Sequence, residues 1–480
     1  MDSQGHVLVE ESNLESIELG QLGEDQQRNP AHAYPEPDRG KHAWLFLWVG
    51  CFLMIALTWG FPFSYGVFQS YYSSHPPFSA HPEGLPAVGT TALGTLYLTS
   101  PPSFIILQRY QSYRRPALVF GSIVTCLAVL ASAFASKVWH LLLTQGILYG
   151  LGASVVNTVT IQFLNGSFIE RKGLAFGIQE AGAAMGGVVI PVLMTWGLEK
   201  YGHRNILIAW FVTIVILSLP SIYFLRERVK PRAANASELG TLGFVTTPIF
   251  LILQAGNIFQ ALGNFLPGIH LPCMKYLSMY EISIHVCQTL ISCQLTRGSA
   301  FAQRFGASPL AAAGILSLYN VASVIGAICT GYLVDRCHVS VTLFLLSLGA
   351  AAAVFFAWGF ADDFAALCSF AFIYGIFAGG WSSTWVGIGL EIQKRNPRAD
   401  LGLLWGFAAA ARGVGSIVSG PISERSIDEG AGKTSWCPKS YGTSYGILIL
   451  FNGVMLTLGS VDYAARIFEI LKRIGHRHNE

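Results

Sequence analysis

Hydrophobic residues run along this chain in long blocks. They do not alternate as in strands, and they do not form the half-apolar stripes of soluble helices. A bilayer core about 30 Å thick needs about 20 apolar residues per helix. Twelve stretches are of that kind: residues 43–68, 87–108, 116–135, 139–163, 173–196, 205–225, 244–267, 309–333, 341–360, 364–390, 400–421 and 443–465. The pattern predicts an all-α membrane protein with twelve transmembrane helices. Arg226 to Gly243 is the longest polar break on its side of the membrane and divides the spans six and six. The expected organisation is a six-helix bundle over 43–226, a linker over 227–243 and a second six-helix bundle over 244–465.

The ends and one loop fall outside this pattern. Residues 1–42 are polar and acidic, with Pro30, Pro35 and Pro37. They lack the apolar surface to fold and read as a disordered cytosolic tail without a cleaved signal. Residues 466–480 read as a cytosolic C-terminal tail. Residues 271–308 are long for the extracellular loop expected there, and Met274–Ser299 reads as an insertion: a genuine extracellular loop or a translated intron.

Charge placement sets the orientation. With both termini in the cytosol, 20 Lys and Arg fall on the cytosolic side and 9 outside, with Arg412 alone inside a span. That bias follows the positive-inside rule. The triplets Asn165-Gly166-Ser167 and Asn235-Ala236-Ser237 then lie on the cytosolic side, where glycosylation is not expected.

Composition narrows the class. The chain has 480 residues, 52% hydrophobic and 12% charged. Soluble proteins carry about 25% charged residues. A soluble enzyme, a disordered scaffold and a nucleic-acid binder are excluded. The net charge of +3 names no partner. Nine cysteines form no C-x-x-C pair and twelve histidines no cluster, so neither a metal nor a cofactor is expected. Gly430–Thr434 resembles a phosphate loop, but Ile427 stands where its first glycine belongs. The remaining partners are the lipid bilayer and a small-molecule substrate, anionic or aromatic, bound by a monomer.

Charges and amides inside spans are costly and point to function. Arg412 lies near the middle of its span, where a guanidinium can hold a carboxylate bidentately or pair structurally with Glu180. Glu180 is itself a proton-coupling candidate. Gln254, Asn257, Gln260 and Asn264 fall on one face of the seventh span. Such a stripe faces a wet cavity or another helix, and the cavity is the expectation. Tyr65, Tyr149 and Asn320 complete the substrate-binding candidates. Gln69, Asn157, Tyr319, Tyr374, Trp381 and Trp385 are weaker entries, and aromatics in spans are more often core or interface residues.

An arginine-bearing turn recurs at matching places in the two halves. Arg109, Arg114 and Arg115 follow the second span, and Asp335 and Arg336 follow the eighth. Such turns can latch one face by pairing with a carboxylate or a helix end on a neighbouring helix. Arg171 opens the fifth span. Gly177, Gly182, Gly186 and Gly187 then give that span a small-residue face suited to close helix approach.

The run from Arg171 through Gly187 resembles the signature of the monocarboxylate-porter branch of the major facilitator superfamily. Trp59–Gln69 is similar to that branch's fungal members, and Gln145–Gly152 and Ala411–Gly415 fit the same group. The resemblance covers about residues 43–465. It implies alternating access of two pseudo-symmetric bundles around a midplane site. The chain departs from the acid carriers of that branch, which use a lysine in span 1 and an Asp/Arg pair in span 8. Phe63, Ser323 and Ala327 stand at those positions. A secondary transporter that exports an organic anion or specialised metabolite across a fungal plasma membrane is therefore expected. Uptake of a monocarboxylate or vitamin-like carboxylate is the alternative, and a non-transporting sensor is the reading from another class.

Overall fold

The computed structural model describes residues 41–80, 84–225, 242–270, 309–361, 364–397, 399–430, 446–461, 463 and 466. The tails, the 227–241 part of the linker and the 271–308 loop lie outside the described residues, as do most of the phosphate-loop-like run and Asn235. Every regular element among the described residues is helical.

The helices follow the apolar blocks. α1 covers His42–Ser74, with a π-helical stretch at Phe46–Phe52 and Pro62 in its interior. α2 runs Leu85–Leu98 and, past a bend at Thr99, Ser100–Arg109. α3 is Gln111–Ser132 and α4 is Val138–Ser167. α7 is Pro248–His270 and α8 is Pro309–Arg336. α9 is Val339–Trp358. α10 runs Phe364–Gly379 and, through a 3-10 turn at Trp381–Thr384, Trp385–Arg395. α11 is Leu401–Gly430 and α12 is Gly446–Leu458. Eight helical stretches among the described residues are long and apolar enough to cross a membrane.

The fifth and sixth apolar blocks differ from expectation in one respect. They form a single run, Lys172–Phe224, broken only at Gly202, whose φ of 76° and ψ of 167° are not helical. We label the part before Gly202 α5 and the part after it α6. A side chain would be strained at that φ/ψ, so glycine is what lets two helices meet with no loop between them.

Helices before residue 226 and after residue 241 meet along two seams. In the first, α5 lies against α8, backbone to backbone. A Cβ at Gly177 would stand 2.5 Å from the Ala327 carbonyl oxygen and 3.0 Å from Gly331 Cα. In the second, α11 lies against α2, and Phe104 of α2 covers Gly402 and Gly406. A separate buried core joins α8, α9, α10 and α12 through Ile315, Val354, Phe370 and Leu448. The outer surface is apolar: Phe120, Leu219 and Phe356 are exposed. Such a belt is a liability in water and ordinary against acyl chains.

Candidate functional site

A cavity opens between the two seams. Its volume is about 110 Å³, taken as the space open to the centre of a water molecule. One wall carries Trp59 and Phe63 of α1, Tyr97 of α2 and Glu180 of α5. The other carries Asn264 of α7, Tyr319, Asn320 and Ser323 of α8, and Trp385 of α10. Trp405 and Arg412 of α11 complete it. Glu180, Tyr319 and Arg412 lie well inside their helices, while Phe63, Tyr97 and Trp385 stand where helical segments end or begin.

Arg412 is the cation of this cavity. It is the twelfth residue of α11 and is 7% exposed. Its Nη1 donates to Gln260 Oε1 at 2.9 Å. An arginine has five N–H donors, and Arg412 makes further interactions besides this bond. Glu180 faces the same cavity with Gln179 Nε2 at 3.5 Å from its Oε1. At the end nearest the arginine-bearing turns, Trp385 and Trp405 meet edge to face, with centroids 4.9 Å apart at 74°. Phe104 packs beneath Trp405 at 6.1 Å.

The structure sorts the sequence candidates. Arg412, Glu180, Asn264 and Asn320 line the cavity. Asn320 Nδ2 also donates to the Leu316 carbonyl at 3.1 Å. Gln260 stands behind Arg412 and orients it. The expectation that the whole α7 stripe faces the cavity needs correction. Asn257 is taken up by neighbouring helices: its Nδ2 donates to the Ala408 carbonyl at 2.7 Å, and its Oδ1 accepts from the Trp381 and Trp385 indoles at 3.0 and 3.3 Å. Gln254 is half-buried and lies off the cavity. A buried amide has four hydrogen-bond positions to satisfy, and helix neighbours supply partners as well as water does.

Tyr65 and Tyr149 are corrected for a similar reason. Both are buried away from the cavity. The Tyr65 hydroxyl donates to the Leu85 carbonyl at 2.7 Å, and that of Tyr149 to the Thr58 carbonyl at 3.0 Å. Buried tyrosines seek an acceptor for the hydroxyl, and these two tie α1 to α2 and α4.

The gating candidates also separate. Asp335 reaches from the end of α8 to the start of α5, where its carboxylate accepts the Gly173 and Leu174 backbone N–H groups at 2.6 and 2.8 Å. An anion at a helix N-terminus meets both unsatisfied donors and the positive end of the dipole. The acidic residue of the turn, not an arginine, therefore makes this contact between the two groups of helices. Arg336 is exposed, its guanidinium over the Tyr332 ring at 5.5 Å. Arg109, Arg115 and Arg171 are exposed, while Arg114 is half-buried with its Nε on the Leu107 carbonyl at 3.2 Å. Gly182 and Gly186 face the Phe52 and Ala56 carbonyls of α1. Their small-residue face thus packs within the first group of helices. Asn165 of the first glycosylation triplet accepts from Lys172 Nζ at 2.9 Å.

Sequence reasoning did not select Trp59, Tyr97 or Trp405 as site residues. Phe63 and Ser323 had been noted only as positions lacking a charge, and both line the cavity. Ala327, the third such position, packs its carbonyl against Gly177 instead.

An apolar helical bundle with a buried cation in a cavity between its helices is an arrangement that fits a membrane carrier. The model of the Major Facilitator Superfamily matches residues 47–420, and the chain belongs to that family. It is similar to the MFS-type transporter pynF of Aspergillus niger, 22% identical over 90% of this chain and 92% of that one. It is also similar to the fujikurins efflux protein of Gibberella fujikuroi, 23% identical over 94% of this chain and 88% of the relative. The agnestins efflux protein of Paecilomyces divaricatus is 24% identical over 86% of this chain and 84% of its own length. The chain is an MFS transporter and not an enzyme.

Proposed function

We propose that this transporter exports an organic anion or specialised metabolite across a fungal plasma membrane by alternating access. Twelve spans form two six-helix bundles, over 43–226 and 244–465, that rock about the cavity with both termini in the cytosol. The carrying observation is Arg412, a buried guanidinium in a cavity bounded by both groups of helices. It anchors the cargo, Asn264 and Asn320 select it, and Glu180 carries the coupling proton. Export is supported by the fujikurins and agnestins relatives, which are named as efflux proteins. The α5 run from Arg171 to Gly187 supports reading the chain within the monocarboxylate-porter branch. Phe63 and Ser323, neutral where the acid carriers of that branch are charged, argue against lactate-type uptake.

The test is metabolite profiling of a deletion strain, cells against medium, followed by counterflow of the retained compound in proteoliposomes. Arg412→Ala is expected to abolish movement of an anionic cargo while expression stays intact. Wild-type rates in that variant would remove the anchor role. Binding without exchange in the wild type would instead indicate a sensor.

A further inference from the structure

Two of the cavity's tryptophans are held in an unusual way. Trp59 of α1 donates its indole N–H to Asn157 Oδ1 of α4 at 3.3 Å. Trp385 of α10 donates its indole N–H to Asn257 Oδ1 of α7 at 3.3 Å. Both asparagines are 1% exposed. The arrangement occurs once on each side of the cavity, between the first and fourth helices of one group and the first and fourth of the other, with donor and acceptor helices exchanged. In each case a buried amide consumes the indole's single donor. Neither N–H is left to bond a ligand, and each indole offers the cavity only its carbon framework and π surface.

Each wall extends its indole with further rings. Trp59 lies 5.1 Å from Tyr97 and 5.8 Å from Phe63. Trp385 lies against Trp405 at 4.9 Å. Arg412 lines the same cavity, with Tyr97 beside it. Two polar atoms of lining residues, Asn264 Oδ1 and Trp405 Nε1, have no hydrogen-bond partner among the described residues. A cavity meant only for a small hydrophilic anion has no use for fixed π surfaces on opposite walls.

We propose that the cargo is an aromatic acid, its ring held between Trp59 and Trp385 and its anionic group on Arg412. Asn157 and Asn257 are positioning residues that fix the indole orientation. This rests on the carrier reading above and narrows its substrate class. A cavity of this volume is near the size that accepts one benzene-sized ring, so the clamp takes one ring of a larger molecule at a time.

The full chain in lipid nanodiscs tests this with radiolabelled benzoate competed by cyclohexanecarboxylate. The two share carbon number and charge near neutral pH and differ in π surface. Benzoate is expected to bind about tenfold more tightly, equivalent to about 1.4 kcal/mol. Trp59→Leu and Trp385→Leu should each bring that ratio to about threefold or less by weakening benzoate, while cyclohexanecarboxylate changes little. Arg412→Gln should weaken both acids together. Equal binding of the two acids by the wild type overturns the clamp and leaves the carrier reading standing. Absence of saturable benzoate binding by protein that unfolds cooperatively also overturns it, and the export assay then judges the carrier reading separately.

Discussion

The α5–α8 and α2–α11 seams occupy matching places and are built from different chemistry. The first is backbone against backbone: Gly173 and Gly177 meet Gly331, and Asp335 reaches across to the exposed N–H groups of α5. The second is ring against backbone: Phe104 covers Gly402 and Gly406, and Tyr97 covers Gly413. Its acidic residue does not cross. Asp400 caps its own helix, accepting the Leu403 N–H at 2.7 Å, and the turn after α2 contributes Arg114 beside it. One seam thus holds its partner by a charge on a helix dipole, while the other combines a smooth aromatic surface with the attraction of Arg114 for Asp400. When the two groups separate, the first seam must give up two short hydrogen bonds together. The second loses dispersion contacts and the Arg114–Asp400 attraction, with no pair of short hydrogen bonds to break together.

The comparison breaks most decisively at Gly177. Leucine there would force its Cβ against the Ala327 carbonyl, and neither backbone has a rotamer with which to yield. Gly177→Leu should keep the first seam from closing and lower counterflow by about tenfold or more, by the overpacking cost of crowded interiors. A cysteine introduced as Ser323→Cys in a cysteine-free background should then label more readily from the side of the arginine-bearing turns. Unchanged labelling would mean the seam closes without this contact.

Asp335→Asn comes next. The amide has a single acceptor oxygen, so one of the two N–H groups loses its partner, and the charge on the dipole is gone. The latch should weaken by about 1–2 kcal/mol, read as a several-fold rise in labelling of the same cysteine. Phe104→Leu should do less, under about 1.5 kcal/mol, because the second seam keeps an apolar filler of lower volume. If Phe104→Leu opened that face as far as Asp335→Asn does, the distinction between the seams would fail.

The smallest effect belongs to His338, which caps α9 at the same end. Its Nδ1 accepts the Ser340 N–H at 3.2 Å and its Nε2 lies 3.4 Å from Glu391 Oε2. Burial lowers its pKa below the usual 6.5, with Arg466 and Lys394 adding to the shift and Glu391 opposing it. The unfolded chain then binds the proton more readily than the folded one. Stability therefore rises with pH through the window just below 6.5 and is lost as pH falls through it. His338→Asn keeps a capping acceptor that does not titrate. It should flatten that slope in thermal unfolding across the same window, with under about 1 kcal/mol change above it.

The long apolar helices were legible because hydrophobic length is a one-dimensional property. So was Arg412, since a lone cation in mid-span stands out against its neighbours. The recurring turn marked the right place, but the sequence favoured arginine as the latch. Only the fold shows that the Asp335 carboxylate faces a helix start, because the start of α5 lies 162 residues away. The α7 stripe misled for a related reason. Periodicity shows which residues share a face, but not that Trp381 and Trp385 wait opposite Asn257 with two N–H groups to place. Trp59 and Trp405 stayed hidden among other rings, in a chain that is 12% aromatic. The signal that would have found Trp59 is a buried asparagine on another helix, and no local pattern records that pairing.

Gly202 carries a mechanical consequence. α5 ends there and α6 begins, and one residue is all that separates them. A long connection would act as a tether and let the second rod stay still while the first turned. A single-residue elbow has no slack to spend. A shift of α5 along its axis would be handed to α6, while a change of angle between the two can be taken up at the glycine.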